Sequence, residues 1–246
     1  MQNKTKLKSI YMLTFAKSLR SLKQCKFQCF IAVVGVSIGL TGCYRSVSPN
    51  FYTLTPQITP LVSSNIKLIE VVPVGIPARL DTPLLVIQNS NGQSYMLDNQ
   101  RWTSSLGNEL QSGLSAGLQQ KLGAIDVYNT GLTGGKTVYT IATEFSRFDI
   151  VEKADKSATD IEVMASWVIK RNTALNTQTK NAEQYSYNQL NCRMTFKNAV
   201  NGKSSNFIDI VSTYQNSLNK VIEAISHTTI SMDTNKKPSI EGVLCS

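Results

Sequence analysis

Four consecutive residues in the middle of the chain have the types that bind phosphate. Gly134, Gly135, Lys136 and Thr137 match the end of a P-loop, in which glycine amides and a lysine cradle nucleotide phosphates. A P-loop also needs a glycine at position 130, where this chain has Thr130. It must then open a helix, whereas a β-branched and aromatic run follows here. The motif therefore predicts a glycine turn between two strands and no nucleotide site.

The other residue types that catalyse reactions are too few to build a site. His227 is the only histidine, so a zinc centre lacks imidazole ligands and a serine triad has a single candidate base. The acids Asp149, Glu152, Asp155 and Asp160 cluster in a polar segment that is typical of a solvated loop. The sequence therefore predicts no enzyme, no catalytic residue, no metal site and no cofactor.

A cysteine near the N-terminus offers a different chemistry, the acylation of its sulfur. Leu40-Thr41-Gly42-Cys43 ends an apolar run that begins at Cys29, and basic but no acidic residues precede it. This pattern resembles a bacterial lipobox, in which the cysteine receives diacylglycerol and becomes the first residue of the mature chain. The run is shorter than the roughly 18 apolar residues of a membrane span, which disfavours the alternative of a transmembrane anchor. We expect residues 1–42 to be a signal peptide and Cys43 to be lipidated.

The net charge is concentrated in this targeting segment. The chain has 25 basic and 16 acidic residues, and residues 1–42 hold seven of the basic ones and none of the acids. The mature chain is thus nearly neutral, and without a basic patch interleaved with aromatics it does not indicate nucleic-acid binding. Its length of about 200 residues favours one domain. We expect a tether at 43–50, a domain at 51–230 and a C-terminal tail at 231–246.

Two cysteines remain in the domain and the tail. Cys192 and Cys245 form an even pair, and in an oxidising compartment such a pair predicts a disulfide. The alternative is two buried free thiols, since the sequence does not fix their separation.

The elements that position these residues follow from hydrophobic periodicity. Asn91-Gly92 lies between two apolar runs and predicts a β-hairpin, and the segment 66–74 predicts a strand before it. Trp102 then precedes a helix that ends at Gly123, with leucines at every fourth position. These are Leu106, Leu110, Leu114, Leu118 and Leu122. Gly107, Gly113 and Gly117 weaken this helix, and we expect a close approach to a sheet to compensate.

The second half of the chain alternates apolar and polar residues at strand period. Strands are predicted at 124–129, at 136–151 with a bulge near Ser146, at 161–169 around Trp167, and at 185–196. A second amphipathic helix begins at Ser205 or Asn206. The fold class is α/β, with two layers: a mostly antiparallel or mixed sheet and two amphipathic helices packed on one face. The other sheet face is then exposed or covered by a partner.

Three segments taken together resemble a known family. These are Phe51-Tyr52-Thr53-Leu54, the run from Val71 to Asp81, and Asn99-Gln100-Arg101-Trp102 opening the leucine-striped helix. They are similar to the PqiC/YmbA-like family of ABC-type transport auxiliary lipoproteins. The resemblance implies a lipid-anchored protein of the outer membrane that faces the periplasm. It also implies partners, namely an MCE-type tunnel protein and an inner-membrane component that together move lipid.

Two other classes of function stay open. The protein could be a structural or assembly lipoprotein of another envelope machine, or a periplasmic lipid-binding carrier, which needs an enclosed apolar cavity. Self-association is also compatible with an uncovered sheet face. We expect outer-membrane residence because Tyr44, and not the aspartate that signals inner-membrane retention, follows Cys43.

Overall fold

A computed structural model describes residues 48–56, 58–60, 64–153, 159–173, 188–200 and 206–246. The lipobox and Cys43, on which the expected lipid anchor depends, lie outside the described residues. The described strands and helices belong to a unit that spans Pro49 to Ser246.

Nine strands and two helices make up the described part of this unit. In chain order they are β1 (Asn50–Tyr52), β2 (Leu68–Val71), β3 (Leu84–Asn89), β4 (Ser94–Trp102), α1 (Leu106–Leu122), β5 (Ile125–Asp126), β6 (Val138–Glu152), β7 (Thr159–Asn172), β8 (Gln189–Ala199), α2 (Phe207–Asp233) and β9 (Val243–Cys245). The predicted α/β class is confirmed, and the sheet is mixed.

The sheet is organised around the long strand β6. Strands follow the order β1-β4-β3-β6-β7-β8-β9, with β6, β7, β8 and β9 joined antiparallel. On one side, β6 pairs with β7. On its other side it pairs with two strands, both parallel to it: β2 along the beginning of β6 and β3 along its end. Strand β5 adds to β2, and β1 adds to β4 in parallel.

Both helices lie on the face of the sheet that carries the large apolar residues. Helix α1 packs on β2 and β5, α2 packs on β7 and β8, and the helices pack on each other. Alternation along β7 sends Ile161, Val163, Trp167 and Ile169 to this covered face, where all are buried. Strand period 2 places their neighbours on the opposite face.

A glycine turn and a β-bulge set which residues of β3, β4 and β6 face the helices. Gly92 has φ +87° at the β3–β4 turn, as the Asn-Gly pair predicts. The β6–β7 pairing shifts between Phe145 and Arg147, which confirms a bulge at Ser146. After the bulge, Phe148 returns to the covered face, and Asp149 lies on the opposite side, where it is buried and paired with Arg79 and Arg147.

The glycines of α1 serve a close approach, but not to the sheet as expected. A Cβ at Gly117 would lie 2.4 Å from Cδ1 of Ile222, and one at Gly113 would lie 2.7 Å from Cδ2 of Leu218. Both contacts come from α2, so Gly113 and Gly117 let the two helices approach each other, whereas Gly107 faces Asp81 and Ile76 of the segment between β2 and β3. The expectation was wrong because a leucine ridge and a glycine row on one helix can face different neighbours.

The strand predicted at 124–129 is shorter in the structure, where β5 covers Ile125–Asp126. Helix α2 begins after the N-cap Asn206, whose side chain accepts a hydrogen bond from the Ile208 amide, and it continues to Asp233. Beyond it, β9 closes the sheet beside β8. The segment 231–246 thus includes the end of a helix and an edge strand.

Candidate docking surface

The face of β6–β8 that points away from the helices has no covering element among the described residues. We call it the open face and define it by Met164, Ser166 and Val168 on β7 with Arg193 on β8 and Leu244 on β9. All five are exposed, and Met164, Val168 and Leu244 expose 41%, 37% and 64% of their surface. Ser166 lies opposite Arg193, and Arg193 opposite Leu244, so they form one row across three strands.

This row borders an open depression of about 450 Å³. Ser166, Asn191, Arg193, Leu244 and the disulfide line it. The combination of Leu244 and the disulfide with the guanidinium of Arg193 is typical of a protein interface, where apolar and arginine contacts are enriched. The depression is shallow and open to solvent.

A cluster of ion pairs flanks the open face. The carboxylate of Asp149 accepts hydrogen bonds from Arg79 and Arg147. Arg147 also pairs with Glu162, with Nη1 lying 2.8 Å from Oε2. Lys197 of β8 completes the cluster through Glu162. The hydrogen bond with buried Asp149 raises the pKa of the Arg79 guanidinium.

The energetic value of this cluster is modest because its cations are exposed and screened by solvent. Its structural role is clearer: Arg79 lies in the segment between β2 and β3, and its pairing with Asp149 fastens that segment to β6. The cluster also fixes a pattern of alternating charge beside the open face.

A second polar cluster, around Glu109 of α1, holds the residues that directly follow β1. One carboxylate oxygen of Glu109 accepts bonds from the Leu54 amide at 3.0 Å and from Thr53 Oγ1 at 3.0 Å. The other accepts from Thr103 Oγ1 at 2.6 Å and from the amide and hydroxyl of Ser104. We call this set the Glu109 clamp. It joins the residues just after β1 to the start of α1.

Burial of Glu109 favours the neutral acid, but the hydrogen bonds outweigh it. Donors from Thr103, Leu54, Ser104 and Thr53 together lower the pKa of Glu109 below its usual value. The clamp therefore carries its negative charge at neutral pH and is satisfied by donors on both oxygens.

The cysteine pair predicted from the sequence lies at the edge of the sheet. Cys192 on β8 and Cys245 on β9 are directly opposite each other, with their sulfur atoms 2.05 Å apart. The bond ties the last strand to the sheet across a sequence separation of 53.

The predicted core residues all lie inside. Leu106, Leu110, Leu114 and Leu118 are buried in the main apolar cluster, together with Trp102 and Trp167. The indole of Trp167 donates a hydrogen bond to Thr228 Oγ1 at 3.0 Å, which satisfies its buried N–H. Trp102 packs against Tyr214 with ring centroids 5.2 Å apart.

The residues that resembled catalytic or phosphate motifs are not brought together into such a site. Gly134 and Gly135 both have positive φ and lead into β6, as expected for a glycine turn. His227 lies exposed on α2. Across the described ranges no group of three or more His, Cys, Asp or Glu side chains could hold a metal ion. Nor is either described helix long and apolar enough to cross a membrane.

Sequence reasoning missed the Glu109 clamp and the Arg79–Asp149 pair. The signal for the clamp was partial, since an acid in the first turn of α1 follows Thr103 and Ser104 closely. The contributions of Thr53 and Leu54 come from 56 and 55 residues away and have no local signature. Arg79 and Asp149 are similarly remote, separated by 70 residues.

Comparison with known proteins gives a consistent result. The model of the ABC-type transport auxiliary lipoprotein component family matches residues 52–226. The chain is similar in structure to a crystallised uncharacterized protein, with 16% identity, a TM-score of 0.52, and coverage of 74% of this chain and 99% of the other. It is also similar to a Xanthomonas campestris protein of the family DUF330, with 14% identity, a TM-score of 0.54, and coverage of 76% and 98%. These identities establish a shared fold alone. No curated protein matches significantly.

Proposed function

Because the chain belongs to the family of ABC-type transport auxiliary lipoprotein components, related to PqiC and YmbA, we propose a specific role within it. The protein is a non-catalytic accessory of an MCE-type system that moves lipid across the bacterial envelope. Lipidated Cys43 holds it on the outer membrane, facing the periplasm. Its open face docks the end of the lipid tunnel.

The observation that carries this proposal is the open face itself. A sheet with helices on one side only leaves Met164, Val168 and Leu244 in solvent around Arg193. Grouped exposed apolar residues rimmed by charges are a mark of interaction sites. The ion-pair cluster beside them supplies charges that can select one partner and one orientation.

The lipid anchor is supported by the lipobox that ends at Cys43 and by the family's description as lipoproteins. Acyl chains contribute about 0.8 kcal/mol for each buried methylene, so more than one chain holds a protein on a membrane firmly. The Glu109 clamp then fixes the point at which the tether meets the folded domain.

Photo-crosslinking in intact cells tests the docking proposal. A photoreactive residue at Val168 should form crosslinks to a tunnel-forming or inner-membrane transport protein identified by mass spectrometry. The matched control is Ile208, an apolar residue that is also exposed but lies on the helical layer. Equal crosslinking from both positions, or crosslinks from Val168 to another envelope machine, would favour the assembly-lipoprotein alternative.

Substitution of the acylated residue tests the anchor independently. Cys43→Ser should abolish incorporation of labelled fatty acid and move the protein out of the outer-membrane fraction. Undiminished labelling in this variant would contradict lipidation at Cys43. The crosslinking result does not depend on this outcome, because the open face is formed by the folded domain.

A further inference from the structure

A cavity of about 390 Å³ opens at the end of the sheet where β6 begins and α2 ends. We call it the basal pocket. It lies away from the open face and from the Glu109 clamp, and neither proposed role uses it. Its lining includes Lys67, Lys136 and Arg171 as cations and Asp233 as the acid, with Tyr139 between them.

Two of the three cations are free to bind a ligand. Neither the ammonium of Lys67 nor that of Lys136 has a hydrogen-bond or ion-pair partner within the described part of the chain. Both residues are exposed, and both come from turns or strand ends that the sheet holds in place. Lysines in this position can supply ammonium donors to an anion without breaking an existing contact.

The third cation is held in one orientation. The guanidinium of Arg171 lies 5.7 Å from the centroid of the Tyr139 ring, and its Nη2 donates to the carbonyl of Met232 near the end of α2. Its Nε is buried and has no hydrogen-bond partner. A buried N–H without a partner is costly, and an incoming acceptor oxygen would remove that cost.

The acid in the pocket is already engaged. Asp233 Oδ1 accepts a hydrogen bond of 2.6 Å from the hydroxyl of Tyr139. Burial, followed by that hydrogen bond, raises the pKa of Tyr139 to about 12, so the tyrosine stays neutral and keeps donating. Three cations against one occupied carboxylate give the pocket an excess of positive charge.

Apolar side chains border the same end of the domain. The amide of Ile125 donates to the carbonyl of Lys67 at 2.9 Å, and the Ile125 side chain is 64% exposed. Leu132, at 78% exposure, lies on the glycine turn that leads to Lys136. Cations beside exposed aliphatic groups match the boundary between a phosphate headgroup and acyl chains.

We propose that the basal pocket binds a phosphate group, with Lys67, Lys136 and the Nε of Arg171 contacting its oxygens. Charge-assisted hydrogen bonds of this kind are stronger than neutral ones. The phosphate can be carried by a lipid headgroup or by a small soluble molecule. The inference rests on the proposed role in lipid transport only for the choice of lipid probe.

Native mass spectrometry of the full chain, purified from membranes in a neutral detergent, tests this proposal. Three probes are titrated separately: phosphatidylglycerol, diacylglycerol with the same acyl chains, and glycerol 3-phosphate. The variant Lys67→Gln/Lys136→Gln removes two exposed charges. The control Lys153→Gln/Lys170→Gln removes the same charge from exposed lysines outside the pocket.

We expect phosphatidylglycerol to bind and the pocket variant to bind it about tenfold more weakly or worse, as the loss of a charge-assisted hydrogen bond predicts. The control should stay within about twofold. Equally tight binding of glycerol 3-phosphate would identify a soluble phosphate as the ligand, and its absence would identify the lipid headgroup.

Three results would overturn the proposal: no binding of either phosphate probe, equal binding of diacylglycerol, or equal loss in both variants. Circular dichroism of the variants checks that each remains folded. The titration contains no partner protein, so its failure would leave the docking proposal intact. Missing crosslinks at Val168 would likewise leave the pocket intact.

Discussion

The two faces of β7 differ although a single strand carries both. Trp167 exposes 1% of its surface on the covered face, whereas Val168, the next residue, exposes 37% on the open face. The covered face is mostly apolar, with Thr143 as a buried polar exception, because two helices exclude water from it. The open face mixes apolar, hydroxyl and charged groups. Packing therefore constrains one face, while the other is free to carry the specificity of an interface.

The largest effect on stability is expected from a substitution on the covered side. Leu114→Ala should lower the free energy of unfolding by about 2–5 kcal/mol, because Leu114 is fully buried and its removal leaves a cavity. Urea denaturation measures the change. The control Leu132→Ala removes an exposed leucine and should change stability by less than about 0.5 kcal/mol. Equal losses of unfolding free energy in the two variants would mean that burial does not determine how much each leucine contributes to stability.

The next test concerns the disulfide that joins β8 to the edge strand β9. Cys192→Ser/Cys245→Ser should lower the free energy of unfolding by roughly 2–4 kcal/mol, because the bond closes a long loop in the unfolded chain. The comparison is between the oxidised natural chain and the double variant in the same denaturant series. Alkylation of both cysteines in denatured, unreduced protein would instead show that no bond forms.

A smaller effect is expected at the Glu109 clamp, on the helical side. Glu109→Gln should cost about 1–3 kcal/mol, since the new NH₂ group faces a backbone N–H, of Leu54 or of Ser104, whichever way the amide turns. Thermal unfolding measures the loss. Glu241→Gln, at an exposed residue without a described partner, is the matched control and should change little.

The clamp also predicts a dependence on pH. The folded pKa of Glu109 is lowered, so its contribution to stability is complete above the unfolded pKa of about 4.3 and is lost as pH falls through the folded value. Unfolding measured across acid pH should show a steeper loss for the natural chain than for Glu109→Gln. Parallel pH profiles would contradict the charged clamp.

The smallest effect on stability and the largest on association should occur on the open face. Val168→Asp should lower the free energy of unfolding by no more than about 1 kcal/mol, the difference in strand propensity, because the side chain already contacts water. Co-purification of the transport partner should be lost, since an unpaired charge would be buried at the interface. A folded variant that retains its partner would place the interface elsewhere.

Periodicity along one element made much of this fold predictable. The leucines of α1 repeat at every fourth residue, which predicts a helix, and the apolar residues of β7 alternate, which predicts a strand. The bulge at Ser146 was visible as a shift in that alternation. The expectation of an uncovered sheet face followed from counting the available helices.

Contacts between distant segments could not be predicted from the sequence. The glycines of α1 indicated a close neighbour, but nothing local shows that Ile222 and Leu218 of α2 would fill that place. The three residues of β9 are too few to show a period. The basal pocket combines Lys67, Lys136 and Arg171 from three separate strands or turns, so only the folded sheet assembles it.

The parallel pairing of β1 with β4 has a mechanical consequence. Asn50 lies opposite Gln100 and Tyr52 opposite Trp102, so a pull on β1 along its own axis runs parallel to β4. Hydrogen bonds that cross between the strands are then loaded in shear, all at once, and do not peel open one by one. The bonds of Glu109 to Thr53 and Leu54 lie directly behind and share the same force. A domain pulled by a moving membrane would resist rupture at this junction.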